Sequence, residues 1–119
     1  MTYDSENIFA KILRGEIPCD KVFENDHTLA FNDIAPQAPV HILVIPKGEY
    51  ISIADFSAKA SAEELKGFHD AIAQIIAQQG FSDAGFRVIA NAGDHGGQEV
   101  PHFHLHIMAG EAIGPMRPV

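Results

Sequence analysis

Tryptophan is absent from this chain, cysteine occurs once, and acidic residues outnumber basic ones sixteen to eight. The single cysteine, Cys19, excludes an internal disulfide and fits a reducing compartment. A formal charge of −8 argues against a nucleic-acid backbone or an anionic membrane surface as the main partner. A small anionic ligand is still compatible, because a few local donors outweigh a distant negative field. No apolar run approaches the roughly 20 residues needed to cross a bilayer. Met1–Glu6 lacks the cationic and apolar regions of a signal peptide, so the cytoplasm is the expected location. Low-complexity tracts, internal repeats and linkers are missing too. With 46% hydrophobic residues, the 119 residues are expected to form one globular domain, 1–119.

The residues present carry clear element signals. Ile8, Phe9, Ile12 and Leu13 recur at helical spacing within Asn7–Arg14, and Gly15 follows where a helix-ending glycine belongs. Two short strands, Lys21–Glu24 and Thr28–Asn32, flank the polar turn Asn25-Asp26-His27. Pro36 and Pro39 make 34–39 a loop. The β-branched run Val40–Ile45, ended by Pro46, predicts a central strand. Ser61 with Glu64 has the form of a capping box, and Leu65, Phe68, Ile72, Ile75 and Ile76 form an apolar stripe that Gly80 ends. That is one long helix. Further strands are expected at Phe86–Asn91 and Val100–Met108, joined by the loop Ala92–Gln98. Hairpin-length links predict an α+β domain: a five-stranded antiparallel sheet with one long and one short helix, the helices on one face.

The last strand holds the reactive groups. His102, His104 and His106 alternate with Phe103, Leu105 and Ile107, so all three imidazoles share one face. Imidazole titrates near neutrality and serves as base, acid, nucleophile or metal ligand. His102 and His106 lie roughly 13 Å apart at about 3.3 Å per residue, too far to share an ion without a bent strand. Two neighbouring histidines could still hold a metal. A nucleophile in the middle with a helper on each side fits a regular strand better, and this singles out His104.

Gly93, Gly96 and Gly97 free the preceding loop for positive φ, the condition for several N–H groups to face one anion. A histidine nucleophile beside such a nest suggests phosphoryl or nucleotidyl transfer: imidazole attacks phosphorus and water resolves the covalent phospho-histidine. Taken singly, the other candidates also have structural readings. His41 suits a hydrogen-bonded core histidine, Asp33 a turn starter and Asn91 a loop tie, while His27, His69 and His95 read as surface groups.

His102-Phe103-His104-Leu105-His106-Ile107-Met108 resembles the His-φ-His-φ-His-φ-φ signature, with φ apolar, of the histidine triad (HIT) family. Asn7–Ile12, Phe31–Pro39 and His41–Lys47 are similar to segments of its nucleotide-binding (Hint) branch, and Gly96-Gly97-Gln98-Glu99-Val100 stands where that branch has its phosphate loop. The likeness covers a core of about 7–110 and leaves 111–119 as a tail. It implies homodimers whose sheets pair into one ten-stranded sheet, purine mononucleotide binding, and hydrolysis of adenosine 5′-phosphoramidates to AMP and an amine. By motif, His104 resembles the nucleophile that takes the nucleotidyl group. His106 and His102 resemble its flanking partners on phosphate oxygens and in a hydrogen-bond relay, which His41 completes. Asp33 resembles the carboxylate that accepts the ribose hydroxyls, and Ile34 an apolar wall of the base pocket. Asn91, Gly97, Gln98, Glu99 and Val100 resemble the phosphate and ribose contacts.

Three departures accompany the likeness. Glu99 stands where animal members have a serine placed to help the leaving amine depart. Asn7 and Ala10 replace the Cys-x-x-Cys that holds zinc in some members, so neither a metal nor another cofactor is expected. The tail Ala112–Val119 lacks the tryptophan-bearing ending of animal members, so leaving-group preference does not carry over. Three functions compete: a phosphoramidate hydrolase with a nucleotidyl-His104 intermediate, a nucleotide-binding adaptor with vestigial catalysis, and a metal-dependent hydrolase using two histidines.

Overall fold

Asn7 starts the first helix, its side chain accepting the Ala10 N–H to cap α1, Ile8–Leu13. Gly15 follows the helix at φ 77°, a left-handed conformation that a side chain would strain. The chain is described from a computed structural model over residues 2–117. Met1 and residues 118 and 119 of the expected tail lie outside the described residues.

Three strands follow, β1 Lys21–Glu24, β2 Thr28–Asn32 and β3 Val40–Pro46. They are antiparallel, with Leu29 opposite Ile45 and Phe31 opposite Leu43. After them come α2 Ile53–Lys59, α3 Ala62–Gln79, β4 Phe86–Ile89 and β5 Leu105–Ala109. The sheet is five-stranded in the order β1-β2-β3-β5-β4, which puts β3 at its centre as its unbroken apolarity predicts. The capping box of α3 forms in both directions between Ser61 and Glu64, and Gly80 closes the helix at φ 70°.

Three expectations need correction. Among the described residues the fold has two short helices rather than one, because Ser52 and Asp55 form a second reciprocal capping box at the start of α2. This helix has seven residues and one buried side chain, Phe56, so no apolar stripe announces it. Strand β4 ends at Ile89, not Asn91, since its last rung pairs Ile89 with His106. Strand β5 begins at Leu105, not Val100. The two groups that would extend its ladder are diverted: the Phe103 N–H donates to the Tyr50 carbonyl at 2.7 Å, and the Pro46 carbonyl accepts from the His102 ring at 2.8 Å.

The sheet is apolar on both faces. Phe103, Leu105 and Ile107 pack with Ile42, Val44, Phe56, Phe68 and Ile75 under the longer helices. Phe103 packs against both Phe56 and Phe68, with ring centroids 5.0 and 5.2 Å away, and burying such a ring contributes roughly 1.5–3 kcal/mol. A fourth correction concerns α1: it lies on the opposite face rather than with the other helices, because Phe9 packs against Leu29, Phe31, Leu43 and Ile45. That smaller layer leaves the rest of its face to the histidines. Among the described residues, no helix is long and apolar enough to cross a membrane.

Candidate active site

Strands β3 and β5 are neighbours, and their register sets His106 opposite Leu43, one step from His41. Both imidazoles therefore lie on the α1 face, and His41 Nε2 is 2.9 Å from His106 Nδ1. The proton positions follow from the partners. The Gln37 backbone N–H donates to His41 Nδ1 at 3.0 Å, so that nitrogen keeps a lone pair. Neutral His41 must then hold its proton on Nε2 and donate it to His106 Nδ1. His106 in turn carries its own proton on Nε2. The Asp33 Oδ2 lies 3.4 Å from the same His41 Nε2, farther than the His106 nitrogen that takes its proton.

His104 has the opposite arrangement. Its Nδ1 is 2.7 Å from the His102 carbonyl, which can only accept, so Nδ1 carries the proton and Nε2 keeps the lone pair. Phe9 stands edge-on to the ring at a centroid distance of 5.0 Å, and His106 is also 5.0 Å away. His102 is fully buried and uses both nitrogens. Nε2–H donates to the Pro46 carbonyl at 2.8 Å, and Nδ1 accepts the Tyr3 hydroxyl at 2.6 Å.

Burial favours the neutral form of these rings. It pushes His102 down to about 4, and it pushes His106 down to about 4 with help from neighbouring His104 and His41. His104 is lowered by burial as well, while its bond to the His102 carbonyl and the carboxylates of Asp33 and Glu99 act the other way. At neutral pH an unprotonated nitrogen on His104 thus sits beside a protonated nitrogen on His106.

The two rings line a cleft of about 370 Å³. Ile8, Phe9, Phe31, Ile34 and Leu43 supply its apolar wall. Asp33, Asn91, Gly97, Glu99 and Val100 join His104 and His106 along it. Ile34 is 94% exposed, an apolar side chain that nothing in the fold covers. His41 and His102 lie behind the cleft rather than along it, and Gln98 is turned into its own loop. The Gln98 amide accepts the Gly93 N–H and donates to the carbonyls of Ile51 and Val100 at 2.6 and 2.9 Å.

The glycine loop differs from the open nest its composition suggests. The N–H groups of Gly97 and Gln98 are spent on Asp94 and Gly93 carbonyls, so neither is a ready donor to an anion. Gly97 turns at φ 72°, and at Gly96 a Cβ would lie 2.4 Å from the Ala92 carbonyl oxygen. Both glycines are needed for the turn itself.

Asp33, His41 and His106 bring three potential metal-ligand atoms within 4.8 Å of one another. The proton pattern disfavours an ion there. With Nδ1 accepting from Gln37, His41 offers Nε2 to a metal only by losing both ring protons. The donor set suits a proton relay. Two residues of the arrangement, Tyr3 and Gln37, are not legible in the sequence. Tyr3 is 99 residues from its partner, and Gln37 contributes a backbone N–H that any residue except proline would supply.

Comparison with known proteins identifies the family. Residues 14–113 match the HIT domain family. A 13.2 kDa HIT-like protein of Azospirillum brasilense is 53% identical over 115 residues, spanning 97% of this chain and 94% of that protein. The purine nucleoside phosphoramidase of Escherichia coli K12 is 45% identical over 111 residues, spanning 93% and 92%. Among solved structures, a histidine triad protein from Clostridium difficile superposes with a TM-score of 0.83 at 44% identity, covering 98% of this chain and 100% of its own.

Proposed function

This chain belongs to the HIT domain family, and from that premise we propose that it hydrolyses the phosphorus–nitrogen bond of purine nucleoside phosphoramidates. The observation that carries this reading is the opposite protonation of the two cleft imidazoles, one a nucleophile and the other a donor. The name and 45% identity of the Escherichia coli relative support the substrate class.

In this reading the Nε2 lone pair of His104 attacks phosphorus and the phosphorus–nitrogen bond breaks. The departing nitrogen takes up one proton from solvent and leaves as an amine. Water then attacks the nucleotidyl-histidine, its oxygen joins phosphorus, and one proton returns to solvent. AMP is released and His104 is neutral again. His106 donates its Nε2–H to a phosphate oxygen, and His41 keeps that proton in place. His102 acts through its carbonyl, which holds the tautomer of His104. Asp33 receives the ribose hydroxyls, Ile34 covers the base, and Asn91 with the Gly97–Val100 backbone flanks the phosphate. Gln98 serves by bracing that loop.

A homodimer with a ten-stranded sheet goes with the reading. Strand β4 is an edge whose Phe86 and Val88 are 39% and 43% exposed, which supports pairing there. Light scattering at micromolar concentration tests it, with a one-subunit mass as the contrary result. A cytoplasmic location without nucleic-acid or membrane partners fits the acidic charge.

Incubation with an adenosine phosphoramidate, followed by mass-spectrometric mapping of a nucleotidyl adduct, tests reaction and nucleophile together. An adduct on another residue contradicts the mechanism. Glu99 in the cleft favours a second reading, a nucleotide-binding adaptor with little catalysis. Single-turnover release of AMP rules that reading out.

A further inference from the structure

The cleft assigned to a phosphorus group is lined by two carboxylates, Asp33 and Glu99, and by no lysine or arginine among the described residues. Six of the eight basic side chains are engaged elsewhere. Lys11 and Arg14 face Glu6, Lys21 and Lys47 face Glu24, Lys66 faces Asp70, and Arg87 holds the carbonyls of Gly114 and Pro115. The two carboxylates are not equivalent. Asp33 accepts the Ala35 N–H at 2.9 Å and lies beside the His41 Nε2–H, so donors offset its charge. Among the described residues, the Glu99 carboxylate has no hydrogen-bond or ion-pair partner. It is nevertheless near enough to raise the proton affinity of His104.

The other titratable groups on the cleft, His104 and His106, are held neutral by burial and add no compensating positive charge. A phosphoramidate joined to a nucleoside carries one negative charge. Its product, a phosphomonoester, loses a second proton near pH 6 and is a dianion above that. The reaction itself therefore creates the extra charge, next to an uncompensated carboxylate.

We propose that Glu99 is a charge filter: it favours phosphorus groups bearing a single negative charge and weakens the hold on the dianionic product. The inference rests on the hydrolase reading above and adds a specificity-determining residue to it. Nucleoside diphosphates and triphosphates are poor ligands for the same reason. Because Glu99 is exposed, water screens its charge, and repulsion across several ångströms corresponds to about a three- to tenfold change in affinity.

The test compares dissociation constants of AMP and its methyl ester, a non-hydrolysable monoanion, by calorimetry at pH 8. In the wild type AMP binds more weakly than the ester. In Glu99→Gln the ratio of the two constants falls at least about threefold. Glu111→Gln, an exposed change of the same charge on the tail, leaves that ratio as in the wild type. An unchanged ratio in Glu99→Gln overturns the proposal, and so does an equal fall in Glu111→Gln, which would assign the effect to overall charge. If the wild type binds neither nucleotide, the inference falls together with the hydrolase reading, a result distinct from an unchanged ratio.

Discussion

The hydroxyl of Tyr3 donates to Nδ1 of His102 at 2.6 Å, joining the N-terminal segment to the histidine segment across 99 residues of sequence. The Pro46 carbonyl completes the arrangement by taking the Nε2–H of the same ring. His102 is thereby held on both sides, and its carbonyl holds His104. Replacing Tyr3 with Phe leaves a buried acceptor unpaired, which costs about 1–3 kcal/mol. Urea denaturation of Tyr3→Phe reads this directly, and a midpoint equal to the wild type would contradict it.

Changing His104 to Ala removes the only cleft imidazole with a free lone pair on Nε2. Turnover of an adenosine phosphoramidate is expected to disappear, while AMP affinity stays within about tenfold because the other cleft contacts persist. Steady-state kinetics and calorimetry on the same preparation check both halves. Full activity in this variant would remove His104 from the mechanism.

Acid should destabilise the fold well before most carboxylates titrate. His102 is held neutral down to about pH 4, whereas an unfolded histidine takes up its proton near 6.5. Between those values the unfolded chain binds a proton that the folded chain refuses, so stability is full above about pH 6.5 and falls as pH drops towards 4. For the fully buried His102 the loss between pH 7 and pH 5 is about 2 kcal/mol. His106 adds to it in the same direction, but by less because it is partly exposed. Urea midpoints that coincide at the two pH values would contradict the buried neutral state.

At Gly96 the constraint is steric. A Cβ there meets the Ala92 carbonyl oxygen at 2.4 Å and the Ala92 nitrogen at 2.7 Å, both backbone atoms that cannot swing aside. Gly96→Ala must displace the loop that carries Gly97, Glu99 and Val100 to the cleft. Nucleotide affinity is expected to fall about tenfold, a loss of about 1.4 kcal/mol, because the displaced backbone no longer lines the cleft as it does in the wild type. Circular dichroism should stay that of the wild type because the loop lies outside the sheet and helices. Wild-type affinity in this variant would show that the loop does not shape the site.

Much of the fold was legible because its signals are local. The Ser61–Glu64 box and Gly80 mark both ends of α3 within a few residues of sequence. Helix α2 was not, since the Ser52–Asp55 box precedes only seven helical residues and one buried side chain. The start of β5 was not either. Whether residues 100–104 join a ladder depends on what the Phe103 N–H meets, and that partner, Tyr50, lies outside the sheet. Within the site, His104, His106, Asp33, Ile34, Asn91, Gly97, Glu99 and Val100 were all singled out by motif and all reach one cleft. The motifs single out His41, His102 and Gln98 as well, but the two histidines stand behind the cleft and Gln98 turns into its own loop, directions that motif spacing does not encode.

That the three histidines turn away from Phe103, Leu105 and Ile107 was determined by alternation in the sequence, although of the three only His106 lies within β5. Phe103, Leu105 and Ile107 bear it out by packing on the other side. Which ring is nucleophile and which is donor was decided only by tertiary structure. An imidazole's tautomer is set by whatever meets its second nitrogen. Here those partners are a carbonyl two residues away for His104, and a histidine on the neighbouring strand backed by the Gln37 N–H for His106.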